Sequence, residues 1–375
     1  MPKSISIVGP PGKPGEVYYD LHVNDTPAPA PSGSELLISM RAAALNHRDL
    51  FLRQHLYPGL TFAPVPLGAD GSGVVVSCGP DADSSFWNGK RVIVNPGIGW
   101  KDAPEGPEEE FGGIYCTLGG TKFYPKGTLG EYFVVDQSEV EIAPDHLSDV
   151  EAAALPLTGL TAWRCVAEKL GPRNIGQGKD VLVTGIGGGV ALMALGFLSK
   201  MGTRVWVSSG SQEKIERATE EAGATGGVNY KEQGWENKLV EMLKEKTGGK
   251  KKTLDGIIDG AGGDIVDKGR KLLKMGGIIV TYGMTLAPKM PWLMQAVMKN
   301  IELKGSTMGS RKEFKDMVAF VADKKLHPVV SRTVVGIENL EGLESLFQDL
   351  KHGKQFGKLV VEISKDGGHG ADSKL

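Results

Sequence analysis

The run Gly185-Ile186-Gly187-Gly188-Gly189-Val190-Ala191 has the composition of a turn that cradles phosphate. Glycine permits the backbone reversal and lets an anion approach the unpaired amides of a helix N-terminus, where the helix dipole favours negative charge. Read as GxGxxG the run ends on Val190. Read one residue later it closes on Ala191, small enough for a helix to pack on its strand. Gly185, Gly188, Gly189 and Val190 are therefore the predicted dinucleotide contacts. About twenty residues further on, a carboxylate would grip the ribose 2′-hydroxyl of NAD. The chain reads Val205-Trp206-Val207-Ser208-Ser209-Gly210-Ser211-Gln212-Glu213-Lys214 there, and no acid ends the strand. The hydroxyls of Ser209 and Ser211 with Lys214, and Arg217 one turn later, suit a 2′-phosphate, so the predicted cofactor is NADPH. The competing reading is that Ser211 only caps the next helix and Lys214 is solvated.

Such a loop needs a strand before it and a helix after it. From residue 179 onward strand-like and helix-like stretches alternate, with strands predicted over 181–184, 204–208, 227–229, 256–259, 278–282 and 301–305. This alternation predicts a doubly wound parallel sheet. The charge-free stretch 181–198 is long enough to span a bilayer, but Gly185, Gly187, Gly188 and Gly189 inside it make it strand, turn and helix instead. The first 150 residues are short apolar runs between Pro/Gly clusters, which predicts a partly open β-barrel. Residues 97–130, rich in glycine and carrying Glu108-Glu109-Glu110, read as an exposed lobe. Capping boxes at Ser148–Glu151 and Ser310–Glu313 open helices, residues 357–362 form a last strand, and the tail after Ser364 is predicted to be flexible.

Composition bounds the function. With 40% hydrophobic and 23% charged residues and a net charge of -2, the chain is globular, and nothing in its charge invites nucleic acid or membrane insertion. Cys78, Cys116 and Cys165 are too scattered for a CxxC cluster and too few for a disulfide framework, which fits a reducing compartment. The N-terminus lacks the apolar core of a secretory signal. Ser373-Lys374-Leu375 reads as the receptor-recognised peroxisomal address, so the expected location in a eukaryote is the peroxisome, through the import receptor, and otherwise the cytoplasm.

Four segments taken together resemble the medium-chain dehydrogenase/reductase superfamily: Ala43-Ala44-Leu45-Asn46-His47-Arg48-Asp49-Leu50, Pro66-Leu67-Gly68-Ala69-Asp70-Gly71-Ser72-Gly73, Gly127-Thr128-Leu129-Gly130-Glu131-Tyr132 and Pro156-Leu157-Thr158-Gly159-Leu160-Thr161-Ala162. The resemblance covers nearly all of residues 1–364. It implies an α/β chain with a GroES-like β-rich catalytic domain over 1–154 and 307–364, a Rossmann NADP(H)-binding domain over 155–306, and a tail over 365–375. The superfamily's zinc alcohol dehydrogenases hold catalytic zinc with a Cys, a His and a Cys, and those positions correspond to Asn46, Ala69 and Leu157, none of which replaces a thiolate or imidazole. Where those enzymes carry four structural cysteines this chain has Cys116 alone, so neither metal is expected. What remains is similar to the zinc-free quinone oxidoreductases and enoyl or enone reductases.

That branch implies 2′-phosphate contacts at Gly210, Lys214 and Tyr230, nicotinamide neighbours at Asn46 and Thr161, and a basic residue near the pyrophosphate at Lys358. Asp259 and Gly283, at the ends of the predicted strands 256–259 and 278–282, complete the expected cofactor set. Without zinc, a developing oxyanion needs hydrogen-bond donors, for which Asn46 and Tyr57 are the candidates. The expected function is NADPH-dependent reduction of quinones or α,β-unsaturated carbonyl compounds. Two alternatives stay open: a carbonyl reductase or alcohol dehydrogenase-like enzyme, and a catalytically silent NADPH-binding protein. The resemblance also implies a homodimer paired through the edge of the nucleotide-domain sheet. His47 with Asp49 reads either as an acid pair or as local bonding, Lys250-Lys251-Lys252 as a solvated loop, and Met290, Met294 and Met298 as the lining of an adaptable apolar pocket, as core or as a subunit contact.

Overall fold

A computed structural model describes residues 1–285 and 289–364. The predicted tail and its Ser373-Lys374-Leu375 signal lie outside the described residues. The chain divides into two compact units, Met1–Leu157 with Ser310–Leu375, and Thr158–Gly309.

The first unit is built on a seven-stranded sheet whose long strand, Glu35–Leu45, sits at its centre. That strand alternates between buried and half-exposed residues as far as Ala42 and is buried throughout from there to Leu45. A period of two with one wet face thus gives way to a segment covered on both sides. Two antiparallel registers position the chemistry. Leu45 pairs with Leu359, and Ala44 pairs with Asp70, so the chain leaving the strand at Asn46 does so beside both Lys358 and Asp70. The helix His47–Arg53 starts immediately, with the Asp49 carboxylate accepting the Asn46 backbone N–H at 2.9 Å. The 97–130 segment departs from its expected exposure. Residues 105–106 and 112–114 are largely exposed, but Trp100, Leu118, Thr121, Thr128 and Leu129 are buried, because glycines at 119, 120 and 127 let the chain press against Leu67 and Pro66. A helix over Leu340–His352 also belongs to this unit, with Leu343, Leu346, Phe347 and Leu350 in its core.

The second unit is a six-stranded parallel sheet in the spatial order Gly226–Asn229, Arg204–Ser209, Asp180–Val183, Leu254–Asp259, Leu273–Thr281, Glu302–Gly305. In chain order this is third, second, first, fourth, fifth, sixth, the doubly wound arrangement in which ligands sit at the carboxyl ends of the strands where the order reverses. Asp180–Val183 and Leu254–Asp259 are buried along their whole length, as central parallel strands must be. At the opposite, amino end, Asp180 and Asp255 are held by Arg204, Lys251 and Lys274. Lys251 is therefore an ion-pair residue, where the sequence suggested a solvated loop. Met294 and Met298 are exposed, and only Met290 packs partly on the core. No helix among the described residues is long and apolar enough to cross a membrane.

Candidate functional site

The carboxyl edge of the parallel sheet gathers nearly every predicted cofactor residue of the second unit. Asp180–Val183 leads into Gly185 (φ +67°) and Gly187 (φ +111°), both in backbone conformations that side chains rarely adopt. Gly188 then caps the helix Gly189–Lys200, whose first-turn amides, Val190 among them, lack partners within the helix. A Cβ at Gly187 would lie 2.8 Å from Lys214 Cδ, so the lysine side chain rests on the glycine loop. Burial pushes the Lys214 ammonium below the usual lysine range, and nearby Arg217 acts the same way while Glu213 opposes. A desolvated cation beside unpaired amides gains from an anionic ligand.

The next strand supplies a second cradle. Ser211 caps the helix Gln212–Glu220 by accepting the Lys214 backbone N–H, and the Ser209 hydroxyl accepts the Ser211 N–H at 3.2 Å. A Cβ at Gly210 would lie 2.7 Å from the Tyr230 hydroxyl and 2.8 Å from Lys231 Cε. Gly210 and Tyr230 thus lie together, while Lys214 rests instead on the glycine loop at Gly187, and Lys231 joins the pair unforeseen. Its place directly after Tyr230 at a strand end was the available signal. Arg217 instead forms an exposed pair with Glu221.

On the other side of the loop, Asp259 accepts hydrogen bonds from the Thr184 hydroxyl at 2.6 Å and from the Gly262 N–H at 2.8 Å. Burial pushes its carboxyl up, against these bonds. Asp259 thereby ties the turn at Thr184 to the loop after its own strand. Gly283 follows the neighbouring strand, where a Cβ would sit 3.4 Å from the Gly260 carbonyl. Thr161 is buried, its hydroxyl 3.7 Å from Met308 Sδ, and Met308 itself has φ +44°.

In the first unit Asn46, Asp70 and Lys358 form one buried knot. The Lys358 ammonium donates to the Leu45 carbonyl at 2.9 Å, to Asn46 Oδ1 at 2.6 Å and to Asp70 Oδ2 at 2.7 Å. Asn46 Nδ2 donates to Asp70 Oδ2 at 2.9 Å, and the Leu157 backbone N–H donates to Asp70 Oδ1 at 2.7 Å. This corrects the expectation for Lys358. Its three donors are committed to this knot, so it acts here as the anchor of Asn46 and Asp70, not as a cation presented to a pyrophosphate. Asn46 keeps one Nδ2 hydrogen beyond these bonds. Asp70, which sequence reasoning passed over, joins two of the three positions where zinc enzymes have ligands, Asn46 and Leu157. Ala69, the third, is a buried methyl group. Among the described residues no group of three or more His, Cys, Asp or Glu side chains could hold a metal ion.

Tyr57 is half-buried with the Arg48 guanidinium 4.8 Å from its ring centroid. Arg48 also binds Asp49 at 3.0 Å and the Gly119 carbonyl at 2.7 Å. Asp49 thus pairs with Arg48 and with the Asn46 N–H.

Similarity to known proteins agrees with this construction. A model of the alcohol dehydrogenase GroES-like domain matches residues 32–145, and one described as zinc-binding dehydrogenase matches residues 189–323. The chain is 47% identical to a zinc-type alcohol dehydrogenase-like protein, YogA, of Leptosphaeria maculans, over 97% of this chain and 100% of that one. It is 28% identical to the acryloyl-coenzyme A reductase of Metallosphaera sedula, over 90% of this chain and 95% of that one. A solved structure of an NAD-dependent alcohol dehydrogenase matches with a TM-score of 0.80 and 32% identity, over 97% of this chain and 100% of that one. A β-rich GroES-like unit interrupted in sequence by a doubly wound nucleotide unit, matched along both parts, places the chain in the medium-chain dehydrogenase/reductase superfamily of nicotinamide-dependent oxidoreductases.

Proposed function

We propose that this oxidoreductase uses NADPH, needs no zinc, and reduces α,β-unsaturated carbonyl compounds or quinones. The observation that carries the reading is the Asn46–Asp70–Lys358 knot, which occupies the ground where a zinc enzyme needs thiolate and imidazole. An amide oxygen bonded to an ammonium, a methyl group and a leucine do not fit that metal. NADPH does fit: the first-turn amides after Gly188 suit its pyrophosphate, and Gly210 with Tyr230 and Lys231, together with Lys214 on the glycine loop, suits its 2′-phosphate.

When bound, NADPH supplies a hydride. The chain's residues must then stabilise negative charge on the acceptor oxygen without a Lewis acid. An isolated ketone concentrates that charge on one oxygen, whereas a conjugated acceptor accepts the hydride at its β-carbon and spreads it over an enolate. A proton from solvent then completes Cα, so that enone, NADPH and H⁺ become saturated carbonyl and NADP⁺. Hydrogen-bond donors suffice for that smaller demand. A ketone, aldehyde or alcohol substrate is the second reading, favoured by the relatives named alcohol dehydrogenases.

The cofactor half is tested by fluorescence titration. NADPH should bind at least about tenfold more tightly than NADH, a gap of ~1.4 kcal/mol. Lys214→Ala should weaken NADPH by about 1.5–3 kcal/mol and leave NADH unchanged, because it removes a charge-assisted contact to the extra phosphate. Equal affinities in the unaltered protein contradict the assignment.

A further inference from the structure

The lobe of the first unit between Gly97 and Thr117 is where the superfamily's zinc enzymes carry structural cysteines, and its residues do not fit such a metal. Cys116 stands alone there, half-buried in a short ladder in which it pairs with Ile98 while Thr117 pairs with Gly97. Among the described residues no group of three or more metal-ligating side chains exists in the lobe or beside it. Something other than a metal must close the turn beyond the ladder.

A carboxylate lies at that point. Glu108 Oε1 accepts the backbone N–H of Lys101 at 3.0 Å, of Asp102 at 2.7 Å and of Ala103 at 3.1 Å, and its Oε2 accepts that of Lys101 at 2.9 Å. The Trp100 indole N–H donates to the Ala103 carbonyl at 2.7 Å and shuts the same turn. Successive amides aimed at one point form a concave anion site, and bonds to a charged acceptor are the strong ones. On its other side the turn is seated on the helix Arg311–Lys324, whose Arg311 and Lys312 N–H groups donate to the carbonyls of Trp100 and Lys101 at 2.8 and 2.9 Å. The peptide units 100–101 and 101–102 therefore donate to Glu108 and accept from the helix at once, so each bond polarises the other.

We infer that Lys101, Asp102 and Ala103 build an anion nest filled by Glu108, and that this internal carboxylate takes the place of a structural metal in closing the lobe and seating it on the helix. It carries the zinc-free reading to a second place, on bonds of its own, and nothing in it depends on the substrate proposed above. Glu108 is a positioning residue: through the turn it fixes Trp100, which is 3% exposed and meets the Tyr115 ring edge-on at a centroid distance of 6.2 Å. Burial pushes the Glu108 carboxyl up, but the amides of Asp102, Lys101 and Ala103 outweigh it and hold it down at about 2. A carboxyl depressed in the folded chain gives a closure fully present above the usual glutamate range and lost only as the pH falls toward about 2. A closure by thiolates on zinc would instead loosen on mild acidification, as its ligands took up protons.

The test is hydrogen–deuterium exchange of the full chain, read in the segment 100–108. Glu108→Ala should speed exchange there at least about tenfold, with the strand Glu35–Leu45 unchanged, which separates an opened turn from general unfolding. Glu108→Gln, whose amide oxygen still accepts but carries no charge, should fall between the two and serves if the alanine variant does not fold. Acetate is the group that Glu108→Ala lacks, so it should slow exchange again in that variant and leave the unaltered protein as it was. A contact that merely packs the turn would give no such rescue. Neither a chelator nor a change from about pH 7 to about 5, corrected for intrinsic exchange, should alter protection in the unaltered chain. Exchange that is unchanged in the variants, or raised in Glu108→Ala and untouched by acetate, would overturn the inference, as would protection that a chelator removes and zinc restores. None of these readouts involves turnover, so a failure of the proposed function is seen separately.

Discussion

Lys358→Met is expected to lower the stability of the folded chain by about 3–5 kcal/mol and to abolish most activity. The Lys358 and Asp70 side chains are 5% and 0% exposed, so removing the ammonium strands a carboxylate where water cannot reach it. It also frees Asn46 Oδ1 and the Leu45 carbonyl from their partner, which removes what fixes the chain between strand and helix. The penalty belongs to the broken pair more than to the lost attraction. The double variant Lys358→Met with Asp70→Asn should therefore be more stable than Lys358→Met alone, since asparagine can still accept the Leu157 N–H and carries no charge. Urea unfolding at constant m-value measures both, and a single variant no less stable than the double would show that the knot is not coupled as described.

Gly187→Val should weaken NADPH binding at least a hundredfold while the fold persists. At φ +111° a branched side chain is strained, and its Cβ would sit 2.8 Å from Lys214 Cδ, so the substitution both distorts the turn and expels the lysine from its place on the glycine loop. Gly185→Ala is the matched control. Its φ of +67° also disfavours a side chain, but nothing lies within 4 Å of the new Cβ, so it carries strain without displacing Lys214. Fluorescence titration of both with NADPH separates the two causes. A Gly187→Val protein that binds NADPH like the unaltered chain would remove the loop from the cofactor site.

The alternation of strands and helices in the second unit and the placement of Gly185 and Gly210 after its strands were legible because turn glycines and strand periodicity are local signals. What the sequence concealed depends on register. Lys358 lies more than three hundred residues from Asn46, and only the pairing of Leu45 with Leu359 brings them together, so a basic residue that looked available for phosphate is an internal anchor. Asp70 was hidden for the same reason. The helix Leu340–His352 was not foreseen, although its leucines at 340, 343, 346 and 350 carry helical spacing. Tyr115 was obscured by its surroundings: glycine and a run of acids made 97–130 look like an exposed lobe, while close glycine packing carries part of it inward.

The most direct test of the account is NADPH oxidation followed at 340 nm with matched enone and saturated-ketone pairs and a benzoquinone, on protein assayed for zinc and incubated with a chelator. Conjugated acceptors should exceed their saturated counterparts in kcat/KM by at least about tenfold, a barrier difference of ~1.4 kcal/mol. The rate should be indifferent to the chelator, with no stoichiometric zinc in the protein. Saturated ketones reduced as fast as enones with the quinone inert, or a rate that vanishes with chelator and returns with zinc, would contradict it.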